Sequence, residues 1–169
     1  MSSAAPALSL TAMFGEREAR RRKERDEEEQ LQRRQEEELA SFKKRLDEFE
    51  LTQDRINAAL ARIRRAFERG DTELMLTSFP SSFCSDDGRA IINSAAPPIN
   101  KPKKEEAARE AVPEWVGTMP KGAALVYDYW RTHLRPGGFG FSAQIINYPG
   151  GKPGDIGLFL SWPKSSMEL

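Results

Sequence analysis

The stretch Phe139–Trp162, FGFSAQIINYPGGKPGDIGLFLSW, decides the fold class of this chain. Phe139, Phe141, Ala143 and Ile145 alternate with Gly140, Ser142 and Gln144. Ile156, Leu158, Leu160 and Trp162 alternate with Gly157, Phe159 and Ser161. Side chains in a strand point alternately to opposite faces, so each apolar set lies on one face of a sheet. Between the two runs, Pro149-Gly150-Gly151-Lys152-Pro153-Gly154-Asp155 has the composition and length of a hairpin connection. A P-loop would need Ser or Thr after the lysine and a helix beyond it. Here Pro153 follows Lys152 and a strand comes next, so the segment is expected to be a turn, closed by Asp155 on local amides.

Working outward, Lys121–Leu134 is expected to be a helix stopped by Pro136-Gly137-Gly138. Leu125, Val126, Tyr129, Trp130 and His133 recur on it at helical spacing, a face able to cover the hairpin. Pro97, Pro98 and Pro102 mark a linker over about 96–102, followed by an exposed helix over Lys103–Ala111. Asp86–Ala95 is a short helix opened by Ser85-Asp86-Asp87. Glu73–Phe79 reads as a strand able to pair with either arm of the hairpin or with neither. Residues 71–169 therefore make a small α+β domain ending in a β-hairpin.

Upstream the composition changes. Residues 14–70 are dominated by charge, contain no proline, and have glycine at Gly15 and Gly70 only. One long helix is expected, with Gly70 capping its C-terminus and Arg62, Arg64, Arg65 and Arg69 complementing the macrodipole there. Within it Leu39, Phe42, Leu46, Phe49, Gln53, Ile56, Leu60, Ile63 and Phe67 follow 3-4 heptad spacing, a seam of about 42 Å at about 1.5 Å per residue. In a parallel pair Glu38 would face Lys43 and Arg45 would face Glu50, opposite in sign, while Thr52 would face Asn57. A coiled coil over 39–67 joining two copies in parallel is the leading expectation. The competing one is that the seam lies on the chain's own C-terminal domain, since Phe is unusual in two-stranded seams and Ala58, Ala59, Ala61 and Ala66 widen the apolar face.

Ahead of the seam, Arg17, Arg20, Arg21, Arg22, Lys23 and Arg25 form a basic cluster. Acids from Glu16 to Glu29 cancel its field, and i,i+4 pairs such as Arg22–Asp26, Lys23–Glu27 and Arg25–Glu29 suit a solvated helix. Residues 1–13 lack the basic start and apolar stretch of a signal peptide, and read as a disordered leader on a cytoplasmic protein.

Composition narrows the function classes. Lys+Arg and Asp+Glu balance at 26 each, which argues against a globally basic nucleic-acid coat. One cysteine and one histidine are too few for a Cys/His zinc site, so neither metal nor cofactor is expected. No apolar run approaches the ~18 residues of a membrane span.

Three functions are compatible with these features. The first is a non-enzymatic interaction protein that homodimerises and presents its α+β domain to an unidentified protein, with Phe159, Tyr127 and Trp115 as the aromatic surface. The second is a nucleic-acid-associated protein using Arg17–Arg25 and Arg62–Arg69. The third is a cysteine-dependent enzyme, with Cys84 at a helix start, His133 as base and Asp86 or Asp87 as orienter. Against that stands the ordinary role of a lone cysteine near Phe79 and Phe83, a small buried hydrophobe.

Overall fold

A computed structural model of the chain describes residues 7–94 and 112–169. The expected Pro-rich linker, the helix over Lys103–Ala111 and the first part of the leader lie outside the described residues. The chain divides into two compact units, Met1–Phe42 and Lys43–Leu169.

The charged segment does form helix, but not as one piece. Helix α1 runs Leu10–Asp47, taking in the end of the expected leader, and α2 runs Gln53–Glu68. The interruption falls inside the heptad seam and has local causes. Asp47, Glu48 and Glu50 put negative charge where a helix C-terminus disfavours it. Thr52, with φ −76° and ψ 159°, caps α2 by accepting from the Arg55 amide at 3.3 Å, and Asp54 occupies the first turn. The Gln53 amide donates along α2 to Asn57 Oδ1 at 2.9 Å.

Gly70 ends α2 as expected. At φ 89° its amide donates to the Phe67 carbonyl while the Asp71 amide reaches Ala66, the paired bonds of a Schellman cap. Strand β1 (Glu73–Pro80) follows, then α3 (Arg89–Ser94), a 3-10 turn (Glu114–Thr118) and α4 (Lys121–Tyr129). A π turn (Trp130–Leu134) and a 3-10 turn (Arg135–Gly137) prolong α4 to Gly138, and β2 (Gly140–Ile145) and β3 (Asp155–Ser161) complete the chain's regular structure. The architecture is α+β, a long charged helix followed by a small three-stranded antiparallel sheet with helices.

Sheet order is β1-β3-β2, so β1 pairs with the second arm of the hairpin. Direct partners share a face. One face therefore carries Ile156, Leu158 and Leu160 from β3, Phe79, Thr77 and Leu74 from β1, and Ile145, Ala143 and Phe141 from β2. Its central residues Ile156, Leu158 and Leu160 are 0% exposed. α2 packs against β1, and α3 packs against β2 and the Glu114–Thr118 turn. Phe141 centres an aromatic cluster, stacked on Trp115 at 6.2 Å, edge-on to Tyr127 at 5.6 Å and 5.4 Å from Trp130. The Trp130 indole N–H, which burial would otherwise orphan, donates to the Phe139 carbonyl at 2.9 Å.

The covering face of α4 differs from the expected one. Ala123 and Tyr127 are buried and Trp130 is half-buried, whereas Leu125 and His133 are exposed. Ala123, Tyr127 and Trp130 make their own i, i+4, i+7 row, offset by about half a turn from Leu125. The hairpin connection is a turn, as expected, but it closes through Asn147. That side chain accepts from the Asp155 amide at 2.8 Å and donates to Asp155 Oδ2 at 3.0 Å.

Candidate functional site

Within Lys43–Leu169 an apolar cavity of about 250 Å³ lies between α2, β1 and α4. Leu46, from the end of α1, and Phe49 and Leu51, from the connection to α2, line one side of it. From α2 come Ile56, Ala59, Leu60 and Ile63; from α4 and its π turn, Val126, Tyr129, Trp130 and Leu134. β1 contributes Leu76 and Thr77 at a bulge, where the pairing register slips between Met75 and Thr77. Gly122 lets the corner come close. A Cβ there would overlap the Leu46 carbonyl oxygen and sit 2.8 Å from Phe49 Cβ.

Two arginines border this apolar lining. Arg62 donates to the Met75 carbonyl at 3.2 Å and to Leu76 at 3.5 Å, satisfying β1 beside its bulge. Arg55 donates to the Glu50 carbonyl at 2.6 Å and lies over the Phe49 ring, 4.7 Å from its centroid. No Asp or Glu lines the cavity among the described residues.

The heptad residues therefore have two fates. Leu46, Phe49, Ile56, Leu60 and Ile63 line an intramolecular cavity, in line with the competing expectation, and the helix that would carry the 39–67 seam is interrupted between Asp47 and Gln53. Leu39 is 46% exposed on α1. Phe67 is 62% exposed and tilted against Trp162 at 6.4 Å, on a second, shallower hollow shared with Phe139 and Leu169.

Aromatic residues expected at a partner surface are mostly interior. Trp115 and Tyr127 are 8% and 4% exposed, held by the Phe141 cluster rather than presented. Burial also pushes the Tyr127 phenol up from its usual pKa, with Arg131 and Arg135 opposing. Phe159 is half-buried on the other sheet face, beside Met75, with its ring close over Gly157.

Cys84 is enclosed too. Burial raises its thiol to about 11, with Asp86 and Asp87 adding to the effect and a hydrogen bond with Thr118 opposing it. A catalytic thiolate needs the reverse shift. The groups acting on the thiol are Thr118, Asp86 and Asp87; His133 is not among them, and its ring lies against Tyr129 at 4.7 Å. Asp86 caps α3, accepting from Gly88 at 3.0 Å and Ala90 at 2.9 Å, while Asp87 takes φ 56° in the turn; α3 thus begins at Arg89, later than expected.

The C-terminal basic cluster is partly used internally. Arg62 serves β1, and Arg69 pairs with Asp71 at 2.9 Å, leaving Arg64 and Arg65 on the exposed side of α2. Arg17, Arg20, Arg21, Arg22, Lys23 and Arg25 are exposed on α1, where Arg17 lies over Phe14 at 5.0 Å. Among the described residues the i,i+4 ion pairs expected beside them do not close to bonding distance, while Gln32 donates along α1 to Glu36 at 3.4 Å. Among the described residues no helix is long and apolar enough to cross a membrane, and no group of three or more His, Cys, Asp and Glu side chains could hold a metal ion.

Comparison with protein-family models, with curated proteins and with solved structures finds no match. Function must be argued from the geometry alone.

Residues of the lining that sequence reasoning gave no role are Leu51, Leu134 and Arg55, whereas Ala59, Val126 and Arg62 were singled out for other reasons. One signal for them was present. Thr52 followed by Asp54, just after three acids, marks a helix start inside what otherwise reads as one helix.

Proposed function

We propose that this chain is a non-enzymatic interaction protein that docks a protein partner through α1, a second copy of the chain being the partner to test first. The observation that carries this reading is that α1, 38 residues long, has no buried residue. Apart from Leu46 at its end, which lines the cavity, α1 gains little from the chain's own core. In water such a helix persists through many side-chain pairs or through a partner, and Arg22–Asp26, Lys23–Glu27 and Arg25–Glu29 do not close. Leu31 and Leu39 stand exposed on it as apolar contacts, and Glu38 and Lys43 supply opposite charges beside them. Cytoplasmic work suits the chain, whose single cysteine is a buried thiol.

Light scattering on the full chain tests the self-association form. A mass near twice 19.1 kDa at micromolar concentration is expected, with helix content by circular dichroism falling on dilution as α1 loses its partner. A mass of 19.1 kDa with helicity independent of concentration removes the second copy as partner.

A further inference from the structure

We infer that the cavity between α2, β1 and α4 is a binding site for a free medium-chain carboxylate, its alkyl chain in the apolar space and its carboxylate at the rim that Arg55 and Arg62 make positive. This inference is independent of α1 and of the docking proposed for it.

Three observations converge. First, the cavity is closed by folding of the chain's own corner. Leu46 and Phe49 come down on Gly122, where a methyl group would not fit. Second, its size suits an alkyl chain. A dry apolar cavity of about 150 Å³ holds a benzene, so about 250 Å³ holds on the order of ten carbons. Third, its charge is one-sided. In a protein with 26 acidic and 26 basic side chains, this lining has two guanidiniums and no carboxylate among the described residues.

Each guanidinium offers five N–H donors, and those used here go to main-chain carbonyls, one from Arg55 and two from Arg62. Donors remain on both for an anion. Both side chains are exposed, so they lie where a carboxylate can stay partly hydrated while its chain is withdrawn from water. An alkane would leave the arginines unused.

Titration calorimetry of the full chain with decanoate at pH 7, below its own aggregation concentration, tests the inference. Saturable binding of one decanoate per chain is expected, with decan-1-ol at least about tenfold weaker because it has no charge for the arginines. The double variant Arg55→Gln/Arg62→Gln weakens decanoate about tenfold and leaves decanol unchanged; Ala59→Phe, filling the cavity, abolishes both. Circular dichroism confirms that each variant is folded, and the arginine pair, being exposed, keeps the test valid if Ala59→Phe does not fold. Absence of saturable decanoate binding overturns the inference. So does equal affinity for decanoate and decanol, or a double variant that binds decanoate as tightly as the unmodified chain.

Discussion

Helices α1 and α2 are cut from the same charged stretch, yet α1 has no fully buried residue and gives the cavity only Leu46 at its end, while α2 buries Ile63 and Ala66 and walls the cavity along its length. Both are rich in Arg, but α2 holds a single Glu, so the charge thins along the stretch, and apolar spacing decides which helix docks. Ile56, Ala59, Leu60, Ile63 and Ala66 make a continuous i, i+3, i+4 stripe over three turns of α2. On α1 the apolar residues are sparse, with Leu31 eight positions before Leu39, and the narrow run Leu39, Phe42, Leu46 reaches the cavity only at Leu46. A helix docks when its apolar residues reach the width of a stripe, and a strict a/d seam meets that width only where alanines broaden it.

The sharpest way to break this contrast is to truncate one apolar residue on each helix. Ile63→Ala is expected to cost about 2–5 kcal/mol in urea denaturation, because Ile63 is buried and its loss enlarges the space beside β1. Leu31→Ala is expected to change stability by less than about 0.5 kcal/mol, since Leu31 is exposed. Equal effects would mean that α1 is packed in solution, and would point directly to a partner.

A second prediction uses pH to probe the packed unit by itself. The Cys84 thiol ionises near 9.0 when unconstrained and near 11 in the fold, so the unfolded chain loses its proton first. Stability from this group is complete below pH 9 and is lost as pH rises from 9 to about 11, about 2–3 kcal/mol in all at roughly 1.4 kcal/mol per unit. Cys84→Ala is expected to flatten that slope in denaturation curves between pH 8.5 and 11. Alkylation of folded Cys84 at pH 7 is expected to be slower than that of a free thiol; a faster reaction would restore the cysteine-enzyme reading.

Smallest of the three is the corner between the helices. Gly122→Ala is expected to destabilise by about 1–3 kcal/mol, because the new methyl overlaps the Leu46 carbonyl and crowds Phe49. The loss should appear with weaker decanoate binding, since the same residues wall the cavity. A neutral substitution would show that the corner lifts away at little cost, leaving Leu46 and Phe49 free to pair elsewhere.

Local signals were legible along the chain wherever short-range geometry alone decides structure. Period-two alternation located β2 and β3 to within a residue because side-chain direction in a strand is a matter of backbone pleat. Gly70 was legible as a helix end because few other residues take φ 89° without strain. Asp86 was legible as a cap because its carboxylate meets amides only two and four residues away.

What tertiary structure decided is which apolar surfaces meet. The same Leu46, Phe49, Ile56, Leu60 and Ile63 satisfy a heptad seam or a cavity wall equally well, because burial is non-directional and does not record whose surface completes it. The break between α1 and α2 lets Leu46 and Phe49 turn onto the cavity beside β1 and α4. Trp115 and Tyr127 could be placed inside only once Phe141 was seen between them, a contact across residues far apart in sequence. By itself the sequence determined helices, strands, caps and turns, which depend on neighbours a few residues away; the cavity, its two arginines and the order β1-β3-β2 depend on distant segments coming together, and only the fold could supply them.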